Sequence, residues 1–279
     1  MKRIFIYIIG ILLVQSVTAQ TTYLRADSVK ICQLLAQSNR ETTTLWLARQ
    51  FLGVPYVAHT LEVNDDERLV VNTRQLDCTT LVETVTALKL CAQLGKKQWS
   101  DYLYTLSQLR YRQGRLNGYP SRLHYFSDWI RDKVEMQLVT DIQQPNPPFT
   151  AVQTVSVNYM STHPDAYKAL KSNPTLVPEI RAQEQSLTGL KVRYIAKRQL
   201  RNSASLRKVV KDGDILAITC NKKGLDIAHL GFAVWRKDGL HLLNASMLHK
   251  KVVEESMTLW QYMQKHKTFT GIRVIRIKE

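Results

Sequence analysis

A cysteine, Cys78, stands at the start of a segment with helical periodicity that covers residues 74–95. Asp77 is a residue type that caps helix N-termini, and Gly95 suits the turn that ends a helix. The apolar residues of the segment recur at helical spacing: Leu81, Val85, Leu88 and Ala92. Cys78 is therefore predicted in the first helical turn, where unpaired N–H groups and the helix dipole favour a thiolate and can stabilise an oxyanion. Because free cysteines are often buried packing residues, a purely structural role stays open.

A catalytic thiol needs a base and a group that orients the base. His229 begins the predicted strand HLGFAVW, a position that can place its imidazole at a sheet edge facing a helix tip. Asn244 lies on the next predicted strand, and its side-chain oxygen can accept the imidazole N–H. His241 is a rival for this role, but strand alternation puts residues 241 and 244 on opposite faces. Since the chain has seven histidines, a Cys/His pairing by chance is also easy to find.

The elements that must position these residues follow from hydrophobic periodicity. Helices are predicted over residues 23–38, 43–52, 99–111, 123–134 and 178–187, and strands over 151–157, 214–220, 229–235, 240–246 and 271–277. The proline-rich stretch 141–149 is the best candidate for an internal boundary. Helices first and strands last indicate an α+β domain in which the Cys78 helix packs on a C-terminal antiparallel sheet. We predict one domain over residues 20–279, with a large, mostly helical insertion at about 95–205.

The N-terminus has the pattern of a secretory signal peptide. Lys2 and Arg3 precede an apolar run over residues 4–14, and Val17-Thr18-Ala19 resembles a cleavage site, so a mature start at Gln20 is expected. No cysteine follows that site, which argues against a lipid anchor. We expect an exported protein, in the periplasm of a Gram-negative bacterium, with no stable membrane insertion once residues 1–19 are removed.

The chain is strongly basic. Without Lys2 and Arg3 it keeps 37 basic and 23 acidic residues, a net charge of +14. Such a charge favours polyanionic partners, such as an anionic envelope surface or carboxylate-rich cell-wall peptides. The basic residues are scattered and accompany no nucleic-acid motif, so nucleic acid is not the expected partner. A monomer is expected.

The four cysteines contain no CxxC pair, so a zinc cluster is not expected. Cys32, Cys91 and Cys220 each lie in an apolar periodic segment and are predicted to be buried free thiols. No metal and no organic cofactor are expected.

Several motifs occur in an order that resembles the NlpC-type cell-wall cysteine hydrolases of papain-like fold. They are GVPYVA (53–58), LDCTTLVE (76–83), GDILAI (213–218), HLGFAV (229–234) and NAS (244–246). More closely, LVVN (69–72), DCTTLVE and GYPSRLHYFSDWI (118–130) resemble the N-acetylmuramoyl-L-alanine amidase-like branch, formerly a domain of unknown function. The resemblance implies a papain-like NlpC-type core with Cys78 as nucleophile, His229 as base and Asn244 as its orienting partner. Two positions depart from the pattern: His59 stands where a glycine is usual, and Asn244 where histidine is commoner.

Residues of types that could line a substrate-binding pocket lie upstream of Cys78 and in the insertion. The candidates for substrate binding are Tyr56, Asp77, Ser121, Arg122, His124 and Tyr125. Tyr119 and Trp129 add aromatic faces suited to a sugar, and an arginine can pair with a carboxylate. A helix start with an aromatic core face explains the same pattern without a substrate.

The resemblance implies a peptidoglycan hydrolase that cleaves the amide between the muramoyl lactyl group and L-alanine of muropeptides, with anhydro-muropeptides as a candidate preferred substrate. A stem-peptide endopeptidase of the same fold and a non-catalytic peptidoglycan-binding protein are the alternatives.

Overall fold

The computed structural model describes residues 21–278, so the predicted signal peptide lies outside the described residues. The helices are α1 (Arg25–Gln37), α2 (Thr44–Arg49), α3 (Cys78–Gln93), α4 (Trp99–Arg110), α5 (Phe126–Glu135), α6 (Tyr159–Thr162), α7 (Lys168–Ser172), α8 (Val177–Leu187), α9 (Ala204–Val209) and α10 (Leu259–Gln264). The strands are β1 (Thr21–Thr22), β2 (Leu69–Val70), β3 (Val139–Ile142), β4 (Ala151–Thr154), β5 (Lys191–Ala196), β6 (Ile215–Cys220), β7 (Ile227–Trp235), β8 (Leu240–Ser246), β9 (Lys251–Glu254) and β10 (Phe269–Ile277).

An antiparallel sheet of eight strands forms the centre of the protein. Seven strands follow the order β4-β5-β10-β6-β7-β8-β9, and β3 pairs with β10 beside this path. In the middle of the sheet, Phe232 of β7 lies opposite Leu243 of β8, which fixes the register of the strands that carry His229 and Asn244. The short strands β1 and β2 form a separate parallel pair.

Helix α3 is the element that the sequence predicted best. Asp77 is its N-cap, and the Asp77 side chain accepts a hydrogen bond from the Thr80 N–H at 2.8 Å. The chain leaves the helix through Gly95, whose φ of +64° is the left-handed conformation expected there. Helix α3 is buried along most of its length and packs against β7 and β8. The sheet therefore holds the Cys78 end of the helix close to the strand that carries His229.

The sheet has an apolar core on each face. On one face, α1 to α5 bury the largest cluster, which includes Leu81, Val85 and Trp129. On the other face, α9 and α10 cover a second cluster around Leu216 and Ile218. A third, smaller cluster joins Tyr119 and Tyr125 to residues 155–187 and lies beside the candidate site.

The α+β class and the antiparallel sheet are confirmed. The segment 95–205 carries α4 to α8, and it also supplies β3, β4 and β5 to the main sheet. Of these three strands, β4 lies within the predicted strand 151–157, whereas β3 and β5 were not predicted. The proline-rich stretch joins β3 to β4 within that sheet, so it does not separate two structural units. The strand β9 and the helices α9 and α10 were not predicted.

Glu83 of α3 forms a salt bridge with the neighbouring helix. It pairs with Arg110 of α4, with 2.7 Å between Arg110 Nε and Glu83 Oε2. Both side chains are almost completely buried, so the pair ties the two helices together.

Over residues 21–278, none of the helices combines the length and the apolar character that a membrane span requires.

Candidate active site

Cys78 is the first residue of α3, and its side chain is partly exposed to a small pocket. Burial by the surrounding protein raises the pKa of the Cys78 thiol to about 12, and the carboxylate of Asp77 acts in the same direction. Hydrogen bonds from the backbone N–H groups of Leu230 and of Cys78 itself oppose this rise. The loss of hydration on burial raises the pKa of Cys78 more than the helix N-terminus lowers it. The resting cysteine is therefore a thiol rather than the thiolate that the helix position favours.

His229 lies near the start of β7 and lines the same pocket as Cys78. Its Nε2 is 2.9 Å from Asn244 Oδ1, on the neighbouring strand β8. Burial lowers the pKa of His229 below its usual value of 6.5, while the hydrogen bond to Asn244 opposes that shift. The imidazole is therefore neutral at neutral pH and can accept a proton.

The pocket has a volume of about 250 Å³. Its walls come from the start of α3, from the residues around the start of α5, from α6, from Tyr167 just before α7, and from the loop and first residues of β7. The residues that line it are Cys78, Thr79, His124, Tyr125, Phe126, Met160, Tyr167, Leu225, Asp226, Ile227, Ala228, His229 and Leu230. The pocket thus contains the thiol, the imidazole and several further aromatic side chains.

Two predicted wall residues, His124 and Tyr125, lie in this pocket and are fixed by hydrogen bonds. His124 Nε2 is 3.0 Å from the Tyr119 carbonyl oxygen, and burial lowers the pKa of His124. The Tyr125 hydroxyl donates to the buried carboxylate of Glu184 at 2.6 Å and accepts from the Met160 N–H at 3.0 Å. Tyr125 therefore connects the pocket to α6 and α8.

Tyr56 lies close to Cys78 although it is outside the pocket lining. Burial raises the pKa of Tyr56 to about 12, and the charges of Cys78 and Asp77 add to the rise. The phenol is therefore protonated at neutral pH and can act as a hydrogen-bond donor near the thiol.

Comparisons with known proteins give the family of this chain. Residues 46–272 match the profile of the N-acetylmuramoyl-L-alanine amidase-like family. The chain belongs to this family. A Bacteroides uniformis structure named as an N-acetylmuramoyl-L-alanine amidase shares 42% identity over 85% of this chain and 97% of its own, with a TM-score of 0.79. A comparison with curated protein sequences found no match.

Two other solved structures are similar to this member of the amidase-like family. A Bacteroides fragilis protein, provisionally named a xylanase, is 42% identical over 83% of this chain and all of its own, with a TM-score of 0.78. A Legionella pneumophila protein covers 91% of this chain and 95% of its own at 21% identity and a TM-score of 0.70, which shows the shared fold alone.

Three of the predicted substrate-binding residues have other partners in this amidase-like protein. The buried Arg122 guanidinium forms ion pairs with Glu62 and, at 3.7 Å, with Glu67. The Ser121 hydroxyl donates to the Gly118 carbonyl oxygen at 2.7 Å, and Asp77 serves as the helix cap. None of these three lines the described pocket of Cys78.

His59 replaces the glycine that is usual in the resembling hydrolases. Its φ of +62° is the left-handed conformation that favours glycine, and its side chain is exposed. The residue therefore keeps the backbone shape of the motif at some cost in strain, and it does not line the pocket of Cys78.

The remaining cysteines are free thiols. Cys91 and Cys220 are buried as predicted, whereas Cys32 is only partly buried.

Sequence reasoning missed Asp226 and Tyr167, which also line the pocket. Asp226 is buried, and its Oδ2 accepts a hydrogen bond from the Ser127 N–H at 2.8 Å. Its position three residues before His229, in the turn that enters β7, was the available signal.

Proposed function

We propose that this protein is a cysteine-dependent N-acetylmuramoyl-L-alanine amidase that acts on muropeptides. The observation that carries the proposal is that Cys78, at the start of α3, shares one pocket with His229, whose Nε2 is hydrogen-bonded to Asn244. Membership of the amidase-like family and the similarity to the Bacteroides uniformis amidase support the choice of bond.

The reaction proceeds through a thioester. As the Cys78 sulfur attacks the amide carbonyl carbon, the thiol proton passes to the free nitrogen of His229, Nδ1. The oxyanion forms next to the first N–H groups of α3 and the Tyr56 phenol, which are donors already in place. His229 then protonates the leaving amine, and a water molecule, deprotonated by His229, hydrolyses the thioester.

The pocket walls suit the sugar part of a muropeptide. Tyr125, Phe126 and Tyr167 offer aromatic faces against which a sugar can stack. A preference for anhydro-muropeptides is part of the proposal, and it comes from the resemblance to the amidase-like branch.

Xylan hydrolysis, the activity in the name of the Bacteroides fragilis relative, fits this pocket less well. Glycosidases use two carboxyl groups that flank the scissile bond. Among the described residues that line the pocket, Asp226 is the only carboxylic acid, and its Oδ2 is already bound to the Ser127 N–H.

We further propose that the protein acts in the periplasm, and the export pattern of residues 1–19 supports this location. A single polypeptide chain supplies all the groups of the proposed reaction, which is consistent with a monomer.

The test is digestion of purified disaccharide-tetrapeptide, with reducing and with anhydro ends, followed by mass spectrometry. We expect release of the intact tetrapeptide from free disaccharide. Cys78→Ser should lower the rate by at least about 10³-fold, because the nucleophile of a catalytic triad acts as a unit with its base. Cys32→Ser, a change at a cysteine outside the pocket, is the matched control and should leave the rate unchanged.

Two outcomes would contradict the proposal. Cleavage within the stem peptide, with L-alanine still attached to sugar, would indicate an endopeptidase. Full activity of Cys78→Ser would exclude the thiol mechanism.

A further inference from the structure

A buried carboxylate, Glu255, lies directly behind Asn244. Glu255 follows β9 in the chain and is 3% exposed. Its Oε1 accepts a hydrogen bond from Asn244 Nδ2 at 3.1 Å, and its Oε2 is 3.2 Å from His249 Nε2. Its backbone N–H donates to the Leu242 carbonyl oxygen at 2.9 Å. Both carboxylate oxygens and the backbone are thus held in place.

This contact determines which way the Asn244 amide faces. An ionised carboxylate can only accept hydrogen bonds, so the amide must present its NH₂ group to Glu255. The amide oxygen is then the atom that faces His229, at 2.9 Å from Nε2. Because an oxygen can only accept, His229 must carry its proton on Nε2, which leaves Nδ1 free to take the thiol proton.

We propose that Glu255 is a positioning residue of the reaction, which orients Asn244 and through it sets the tautomer and the basicity of His229. The inference rests on the proposed function, since it assigns His229 the role of base. Asn244 alone could turn its amide by half a rotation and offer His229 an NH₂ group. Glu255 removes that alternative and adds a negative charge behind the base.

Other charged or titratable groups lie near the imidazole. His266, at the end of α10, opposes its protonation, and Asp77, beside the thiol, favours it. The half-exposed His249 contacts Glu255 from the outer side. Glu255 differs from these groups because it is hydrogen-bonded to Asn244, the residue that contacts His229.

The test measures, across a range of pH, the rate at which iodoacetamide alkylates Cys78. The alkylation is followed by peptide mass spectrometry. In this reaction the sulfur displaces iodide, and His229 takes the thiol proton. The readout needs no muropeptide, so the inference can fail or succeed independently of the amidase activity. The matched control is Glu254→Gln, which removes a carboxylate from the adjacent residue that pairs with Arg49 and Arg236.

Glu255→Gln should change the plot of alkylation rate against pH in two ways. The plateau rate should fall by about 10-fold, because a well-placed general base contributes roughly 10²–10⁴-fold. The acid limb should move to lower pH, because loss of the anion lowers the pKa of His229. A general loss of packing would reduce the plateau rate without moving the acid limb along the pH axis. Glu254→Gln should keep the wild-type profile.

A rescue experiment separates orientation from stability. The double variant Asn244→Asp with Glu255→Gln reverses the hydrogen bond, because the introduced amide donates to the introduced carboxylate, which still accepts from His229. We expect it to regain most of the plateau rate that either single variant loses. In Asn244→Asp alone, two carboxylates face each other and the rate should be low. A wild-type profile for Glu255→Gln, or a double variant no faster than the slower single variant, would overturn the proposal.

Discussion

At the scale of single residues, burial and the helix N-terminus have opposite effects on the pKa of Cys78. A position in the first turn favours the thiolate, yet the surrounding protein raises the pKa of the thiol to about 12. In the proposed reaction the sulfur therefore depends on His229 for ionisation at the moment of attack. The residue types of this arrangement could be predicted from the motifs around 78, 229 and 244. Glu255 could not, because its contact with Asn244 comes from the course of the chain after β9 and not from a motif.

The pH dependence of the amidase reaction tests the state of His229. Burial lowers the pKa of His229 below its usual value of 6.5. Only the neutral imidazole accepts the thiol proton, so activity is lost as the pH falls through this lowered pKa. We expect the acid limb of kcat/KM below pH 6.5, and a rate that is nearly constant through neutral pH. An acid limb of kcat/KM well above pH 6.5 would show that the base is not a buried neutral histidine.

At the scale of elements, two adjacent strands align the base with its partner. Hydrophobic periodicity predicted β7 and β8, and the cap residue predicted the start of α3. The strands β3 and β5 were not predicted. They have only four and six residues, so each gives a weak periodic signal in the sequence.

Gly231, two residues after His229, lets β7 and β8 approach closely. A Cβ atom at this position would lie 2.6 Å from the carbonyl oxygen of Leu243, the residue before Asn244. We expect Gly231→Ala to lower the free energy of unfolding by about 1–3 kcal/mol, measured by urea denaturation, since overpacked sites cost this much. Displacement of β8 should also move Asn244 away from His229 and reduce kcat.

The matched control is Gly271→Ala in β10, where a Cβ atom would lie 2.2 Å from the carbonyl oxygen of Ile195. This variant should be destabilised as well, but its folded form should keep kcat because β10 does not adjoin β8. Equal kcat for the two folded variants would contradict the link between Gly231 and the alignment of the base.

At the scale of the whole molecule, charge and site act over different distances. The residues from Gln20 onward carry a net charge of +14, whereas the pocket itself is small and lined mainly by apolar and aromatic side chains. The charge was visible in the composition, but the pocket was not, because its walls come from five separate stretches between residues 78 and 230. We infer that the charge attracts the protein to a carboxylate-rich cell wall and the pocket selects the bond.

Binding to intact peptidoglycan should therefore weaken as the salt concentration rises. The Debye length falls from about 10 Å at about 0.1 M salt to about 3 Å at about 1 M, which screens surface charges from a polyanionic wall. Cys78→Ser allows binding to purified sacculi to be measured by sedimentation without cleavage. We expect the fraction of protein bound to sacculi to fall steeply over this range of salt concentration. Binding of a single disaccharide-tetrapeptide, measured by calorimetry, should change much less, because it depends on the partly buried pocket. Sacculus binding that is as tight in about 1 M salt as in about 0.1 M would show that the pocket, and not the net charge, holds the protein on the wall.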